Sequence, residues 1–119
     1  MKYAIVGSRD FNDYELMKEI LDAYTNINSI VSGGAKGADS LAEQWAKKRE
    51  VSLEIYPAEW NVYGKGAGFI RNQQMIDEGL PDLVVAFSGG KGTLNMLTLA
   101  NRANIAIYYV SDFNSGTKS

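Results

Sequence analysis

The sequence contains no cysteine and no histidine. Without thiolate or imidazole it has no thiol nucleophile, no Ser-His-Asp triad and none of the usual structural zinc ligand sets. Catalysis would fall to carboxylates, lysine, arginine or a hydroxyl, and no metal or cofactor is expected. The lack of cysteine gives no sign of disulfides, which suits a cytoplasmic protein. Long apolar runs are lacking too. The opening stretch MKYAIVGSRDF is broken at Ser8, Arg9 and Asp10, too early for a signal core or a membrane span, so it reads as mature structure with no membrane partner. Nor is there an excess of basic charge. A net charge of -2 and a pI near 5.1 argue against a protein built to coat nucleic acid.

What is present is compact in length and rhythmic in pattern. The 119 residues suffice for one domain with one core. YAIVGS (3–8), SIVSGG (29–34), SLEIYPA (52–58), DLVVAFS (82–88) and IAIYYV (105–110) read as strands. Between them lie helical patterns: Leu16, Met17, Ile20, Leu21 and Tyr24 after an Asn12/Glu15 capping pair; Ala38, Leu41, Ala42, Trp45 and Ala46; a helix ending at Gly79 whose Phe69, Met75 and Ile76 face the core; and Thr93 to Ala103. Strands alternating with helices predict right-handed βαβ crossovers. The fold class expected is α/β, a Rossmann-like three-layer sandwich with a mainly parallel sheet of about five strands over residues 1–110. Residues 111–119 read as a flexible C-terminal tail.

In such a sheet ligands bind beyond the carboxyl ends of the strands. Four segments, GSRD, SGGAKGAD, YGKGAGFIRN and SGGKGT, all emerge on that edge, and Arg9, Lys36, Lys65, Arg71 and Lys91 lie in or beside them. SGGKGT is not a Walker A loop, because Gly92 separates Lys91 from Thr93. Gly89, Gly90 and Gly92 still let main-chain N–H groups approach an anion at the positive end of a helix, or else form only a tight turn. A second such loop at Gly33, Gly34 and Gly37 shifts the balance toward a ligand. Asp39, at the start of its helix, either serves the free N–H groups there or accepts from a sugar hydroxyl or an amino group. Arg71, beside Asn72, suits bidentate phosphate binding. Trp60 and Tyr63 stack a base or pack their loop down.

Taken together, IVGSRDFND, IVSGGAKGADSLAEQWA, YPAEWNVYGKGAGFIRNQQMI and FSGGKGTLNML resemble the YspA-like group of the SLOG superfamily, whose wider relatives include the DprA/Smf proteins and the LOG phosphoribohydrolases. The resemblance runs over residues 3 to 110. It implies a Rossmann-like domain that binds a nucleotide or nucleotide-derived small molecule, with a role in phage or bacterial conflict signalling. The ligand-binding residues it points to, with the glycine loops, are Gly7, Ser8, Arg9, Gly33, Gly34, Ala35, Gly37, Asp39, Arg71, Asn72, Gly89, Gly90, Lys91, Gly92, Thr93 and Asn95. Two departures concern chemistry. The LOG hydrolases carry an Arg-Lys pair where this chain has Arg71 and Asn72, and a glutamate where it has Met96; Asn95 stands where YspA-like chains often carry an acid. A binding domain is therefore expected, with a nucleoside monophosphate phosphoribohydrolase as alternative, its catalytic candidates being Arg71, Asp39 and Glu59. A DprA-like single-stranded DNA module is a further alternative, opposed by the acidic pI. Self-association as a homo-oligomer is left open.

Overall fold

The computed structural model describes residues 1–110, and the tail from Ser111 lies outside the described residues. Period-two alternation along the strands sets its layers. The strands are β1 (Lys2–Gly7), β2 (Ser29–Ser32), β3 (Ser52–Ile55), β4 (Leu83–Phe87) and β5 (Ala106–Val110). They form one five-stranded sheet in the order β3-β2-β1-β4-β5, with every neighbouring pair parallel. Tyr3, Ile5, Ile30, Val85 and Phe87 face α1 (Tyr14–Asp22) and α2 (Ala38–Lys48), meeting Met17, Leu21, Ala42 and Trp45. Ala4, Val6, Val31, Val84 and Ala86 face the other way. They meet Met75 and Ile76 of α4 (Ala67–Asp77) and Met96 and Ala100 of α5 (Lys91–Arg102). The central strands β1 and β4 are covered on both sides, which explains their unbroken apolar runs. The chain is an α/β three-layer sandwich, as the pattern predicts.

Several boundaries differ from expectation for local reasons. Asp13, not Asn12, caps α1: its Oδ1 accepts from the Leu16 N–H at 3.1 Å, and a carboxylate is the stronger acceptor at a positive helix end. β3 stops at Ile55, although the Tyr56 N–H still donates to the Ser32 carbonyl at 2.8 Å. A single turn, α3 (Trp60–Tyr63), and a 3-10 turn (Gly64–Gly66) occupy the loop before α4. The last helix begins at Lys91 rather than Thr93, since N–H groups of a first turn need no partner within the helix. Phe69 does not face the core. The buried stripe of α4 runs through Ala67, Asn72, Met75 and Ile76, and Phe69 falls outside it, half exposed.

Sheet order fixes where a ligand can enter. From β1 the chain builds outward to β2 and β3, then returns to the other side of β1 with β4 and β5. Loops leaving β1 and β4 therefore turn to opposite faces and open a crevice at their carboxyl ends.

Candidate functional site

At that reversal point lies a cleft of about 420 Å³. Its floor is apolar, made by Val6, Met75 and Met96. Its walls come from the four segments that the sequence places on this edge: Ser8 and Arg9 after β1, Ala35 and Asp39 around the start of α2, Arg71 and Asn72 on α4, and Gly90, Gly92 and Thr93 at the start of α5. Trp60, Lys65 and Phe69 also line it. The Ser8 N–H still donates to the Phe87 carbonyl at 3.3 Å, so β1 and β4 remain paired up to the cleft.

Arg71 is the most constrained cation in the cleft. Its Nη1 donates to the Gly33 carbonyl and its Nε to Asn72 Oδ1, the latter at 3.1 Å. Asn72, itself buried, donates through Nδ2 to the Gly92 carbonyl at 3.1 Å and to Asn95 Oδ1 at 2.9 Å. One side-chain amide thus ties the guanidinium to the first turn of α5. Burial pulls the Arg71 pKa down and the charge of Arg9 adds to this, while Asp39 opposes both. Among the described residues Arg71 makes no ion pair within 4.0 Å.

Asp39 is the one carboxylate among the cleft-lining residues described. It is 7% exposed. It does not cap its own helix: its Oδ2 accepts from the Ala35 N–H at 3.1 Å, four residues upstream, and so braces the glycine loop. Burial raises its pKa to about 6, against the pull of the Ala35 N–H and of Arg71; Glu43 adds to the rise and Arg9 opposes it.

Two glycines are required by this geometry. A Cβ on Gly33 would run into Arg71 Nη1 and come within 2.9 Å of Asp39 Oδ2, so only glycine lets the loop pass between the two charged groups. Gly37 has φ +73°, and a Cβ there would strike the Ser8 carbonyl, just where the Ala38 N–H donates to that same oxygen at 3.1 Å.

The other candidates divide cleanly. Gly7, Ser8, Arg9, Ala35, Asp39, Arg71, Asn72, Gly90, Gly92 and Thr93 line the cleft. Asn95 stands behind Asn72, Gly89 packs beneath Thr93, and Gly34 turns outward beside Ile55 and Pro57. Lys91, Lys36 and Glu59 are exposed and do not line the cleft. Phe69 and the floor residue Met75 also line the cleft, although their helical spacing marks them only as core, and Met96, the position where the LOG hydrolases carry glutamate, lies in the apolar floor. Three cations, Arg9, Lys65 and Arg71, and the N-terminal turns of α2 and α5 thus face one buried acid across an apolar floor. That arrangement favours a ligand with both an anionic end and an apolar or aromatic body.

The chain is 37% identical over 119 residues to the Gene 61 protein of Mycobacterium phage D29, covering 91% of this chain and 94% of that one. A UDP-GlcNAc 2-epimerase structure from Methanocaldococcus jannaschii aligns with a TM-score of 0.48 at 17% identity, over 98% of this chain and 34% of the epimerase, so the chain spans about a third of that enzyme. Residues 1–63, which carry β1, the glycine loop and Asp39, match the YspA, cpYpsA-related SLOG family, and the chain belongs to that family.

Proposed function

We propose that the protein binds a nucleotide or nucleotide-derived small molecule in this cleft, with a phosphate against Arg71 and the first turn of α5, and leaves it uncleaved. One observation carries the reading: the Arg71 guanidinium is held in place by neutral acceptors, with no carboxylate in ion-pair contact among the described residues, and is tied to a helix N-terminus across the crevice. A partly buried, oriented cation beside free first-turn N–H groups is a site prepared for an anion. The apolar floor and nearby Trp60 favour a nucleotide over inorganic phosphate. In this proposal the protein senses or sequesters its ligand in phage or bacterial conflict signalling; the relative encoded by a phage fits the phage setting. Calorimetry with a panel of nucleoside monophosphates tests the reading. Binding by the wild type that weakens in Arg71→Ala supports it, and equal affinity in both assigns Arg71 to scaffolding.

A hydrolytic reading draws on one observation, the Asp39 carboxyl titrating at about 6, within the range of a general acid. The rest of the site opposes it. Met96 sits in the apolar floor where the LOG hydrolases carry glutamate, and Asn72 is committed to holding Arg71 and α5 together. Release of free base at a rate that falls in Asp39→Asn would establish hydrolysis.

A further inference from the structure

Building on the nucleotide reading, we infer that the base of the ligand stacks on the indole of Trp60, with the Arg9 guanidinium closing over its other face. These two side chains come from distant parts of the chain. Trp60 belongs to the single turn α3 and Arg9 to the loop after β1, and both line the cleft. The Arg9 guanidinium carbon lies 5.6 Å from the indole centroid. Two van der Waals gaps of roughly 3.5 Å each are needed to admit a planar ring, a separation of about 7 Å. Opening the pair from its present spacing takes a small outward swing of Arg9, which is exposed and makes no ion pair among the described residues. A guanidinium and an indole both bind the faces of a nucleobase, so the pair forms a pincer for a planar heteroaromatic ring.

Gly68 joins this pincer to the phosphate end. A Cβ placed on Gly68 would lie 3.5 Å from Trp60 Cη2 and 3.8 Å from Arg71 Nη2. The indole edge and the guanidinium thus flank the same small gap, which glycine leaves clear. That gap gives the sugar its path: base on Trp60, ribose over Gly68, phosphate on Arg71. Trp60 is 48% exposed, which is unusual for a tryptophan with a packing role, whereas Trp45 is 4% exposed and donates its Nε1–H to Asp22 Oδ1 at 2.9 Å.

The difference between the two tryptophans supplies the test. Adenosine and cytidine 5′-monophosphates are compared with ribose 5-phosphate, which has the same anion and sugar and no base. In the wild type the nucleotides should bind about 5- to 150-fold more tightly than ribose 5-phosphate and quench the emission of Trp60, with Trp45 as a silent background. Trp60→Ala should remove most of that difference, weakening ribose 5-phosphate binding far less than nucleotide binding. Trp60→Phe should keep most of it, and Arg9→Ala should lose part. Full retention of the base-dependent difference in Trp60→Ala, or nucleotides binding no better than ribose 5-phosphate to the wild type, overturns the stack and leaves the phosphate site standing. If none of the three compounds binds the wild type, the nucleotide reading fails and the stack fails with it.

Discussion

Replacing Asp39 with asparagine should stabilise the protein at neutral pH, and the effect should vanish in acid. The substitution keeps the shape of the side chain and an oxygen to accept the Ala35 N–H, and removes only the ionisation. The carboxyl titrates at about 6 in the folded protein and near 3.8 when unfolded, because burial disfavours its charged form more than the Ala35 N–H and Arg71 favour it. At 1.36 kcal/mol per pKa unit, holding it ionised costs about 3 kcal/mol. The direction is opposite to that of a salt-bridged aspartate. Between about pH 4 and pH 6 the folded chain keeps a proton that the unfolded chain has released, so stability falls as pH rises through that window, then levels off above it. Urea unfolding of both proteins from about pH 4 to pH 8 isolates this contribution, since every other titrating group cancels in the difference. The Asp39→Asn advantage should grow by up to about 3 kcal/mol across that range. Parallel stability curves would refute the argument and mean that Asp39 ionises at no cost in its place. A phosphate bound nearby should raise the pKa further, so binding near pH 6 should take up protons, measurable as a dependence of the binding heat on buffer.

Arg71→Ala should weaken nucleotide binding by roughly ten- to a hundredfold, from a charge-assisted contact worth about 1.5–3 kcal/mol, and Arg71→Lys should recover only part because the planar fork is lost; calorimetry on the three proteins decides. Gly90→Val should abolish nucleotide binding and leave the unfolding midpoint nearly unchanged, since a Cβ there meets nothing within 4 Å and projects into open space beside the α5 N-terminus; wild-type affinity in this variant would remove α5 from the site. Met96→Glu should not confer release of free base from nucleoside monophosphates and should lower stability, because Met96 is fully buried among Ala4, Val6 and Val84; chromatographic detection of base would contradict the first half, and an unchanged urea midpoint the second.

The layers of the fold were legible because each rests on a local periodicity. Strands such as β1 and β4 announce themselves as apolar runs, and the alternation of strand and helix compels a parallel sheet with its loops on one edge. The glycines and Arg71 were legible at that edge for the same reason. What stayed hidden depends on distance in space. Asp39 looked like a helix-capping residue, and nothing in its neighbours told that it would turn back to Ala35 and be buried. Asn72 read as a departure from a catalytic pair, whereas its amide bridges Arg71 to α5, a contact across 20 residues. Phe69 has the helical spacing of a core residue, but it lies in the first turn of α4, where it lines the cleft and stays half exposed.

The position of β1 has a consequence for how the chain comes together. The first strand is the middle one, and its second neighbour arrives late: Tyr3 pairs with Leu83, and the Lys2 N–H donates to Asp82 Oδ2 at 2.8 Å across 80 residues of chain. On a ribosome, β1, β2 and β3 can assemble with α1 and α2 while β1 still presents a bare edge and half of its apolar residues to water. Closure of the sheet waits for β4, and with such distant partners it is a slow, entropically demanding step. A fragment ending at residue 63 would hold the Gly37 turn and Asp39 yet lack Arg71, Asn72 and the whole of α5, so the segment most recognisable by lineage would lack the proposed phosphate site.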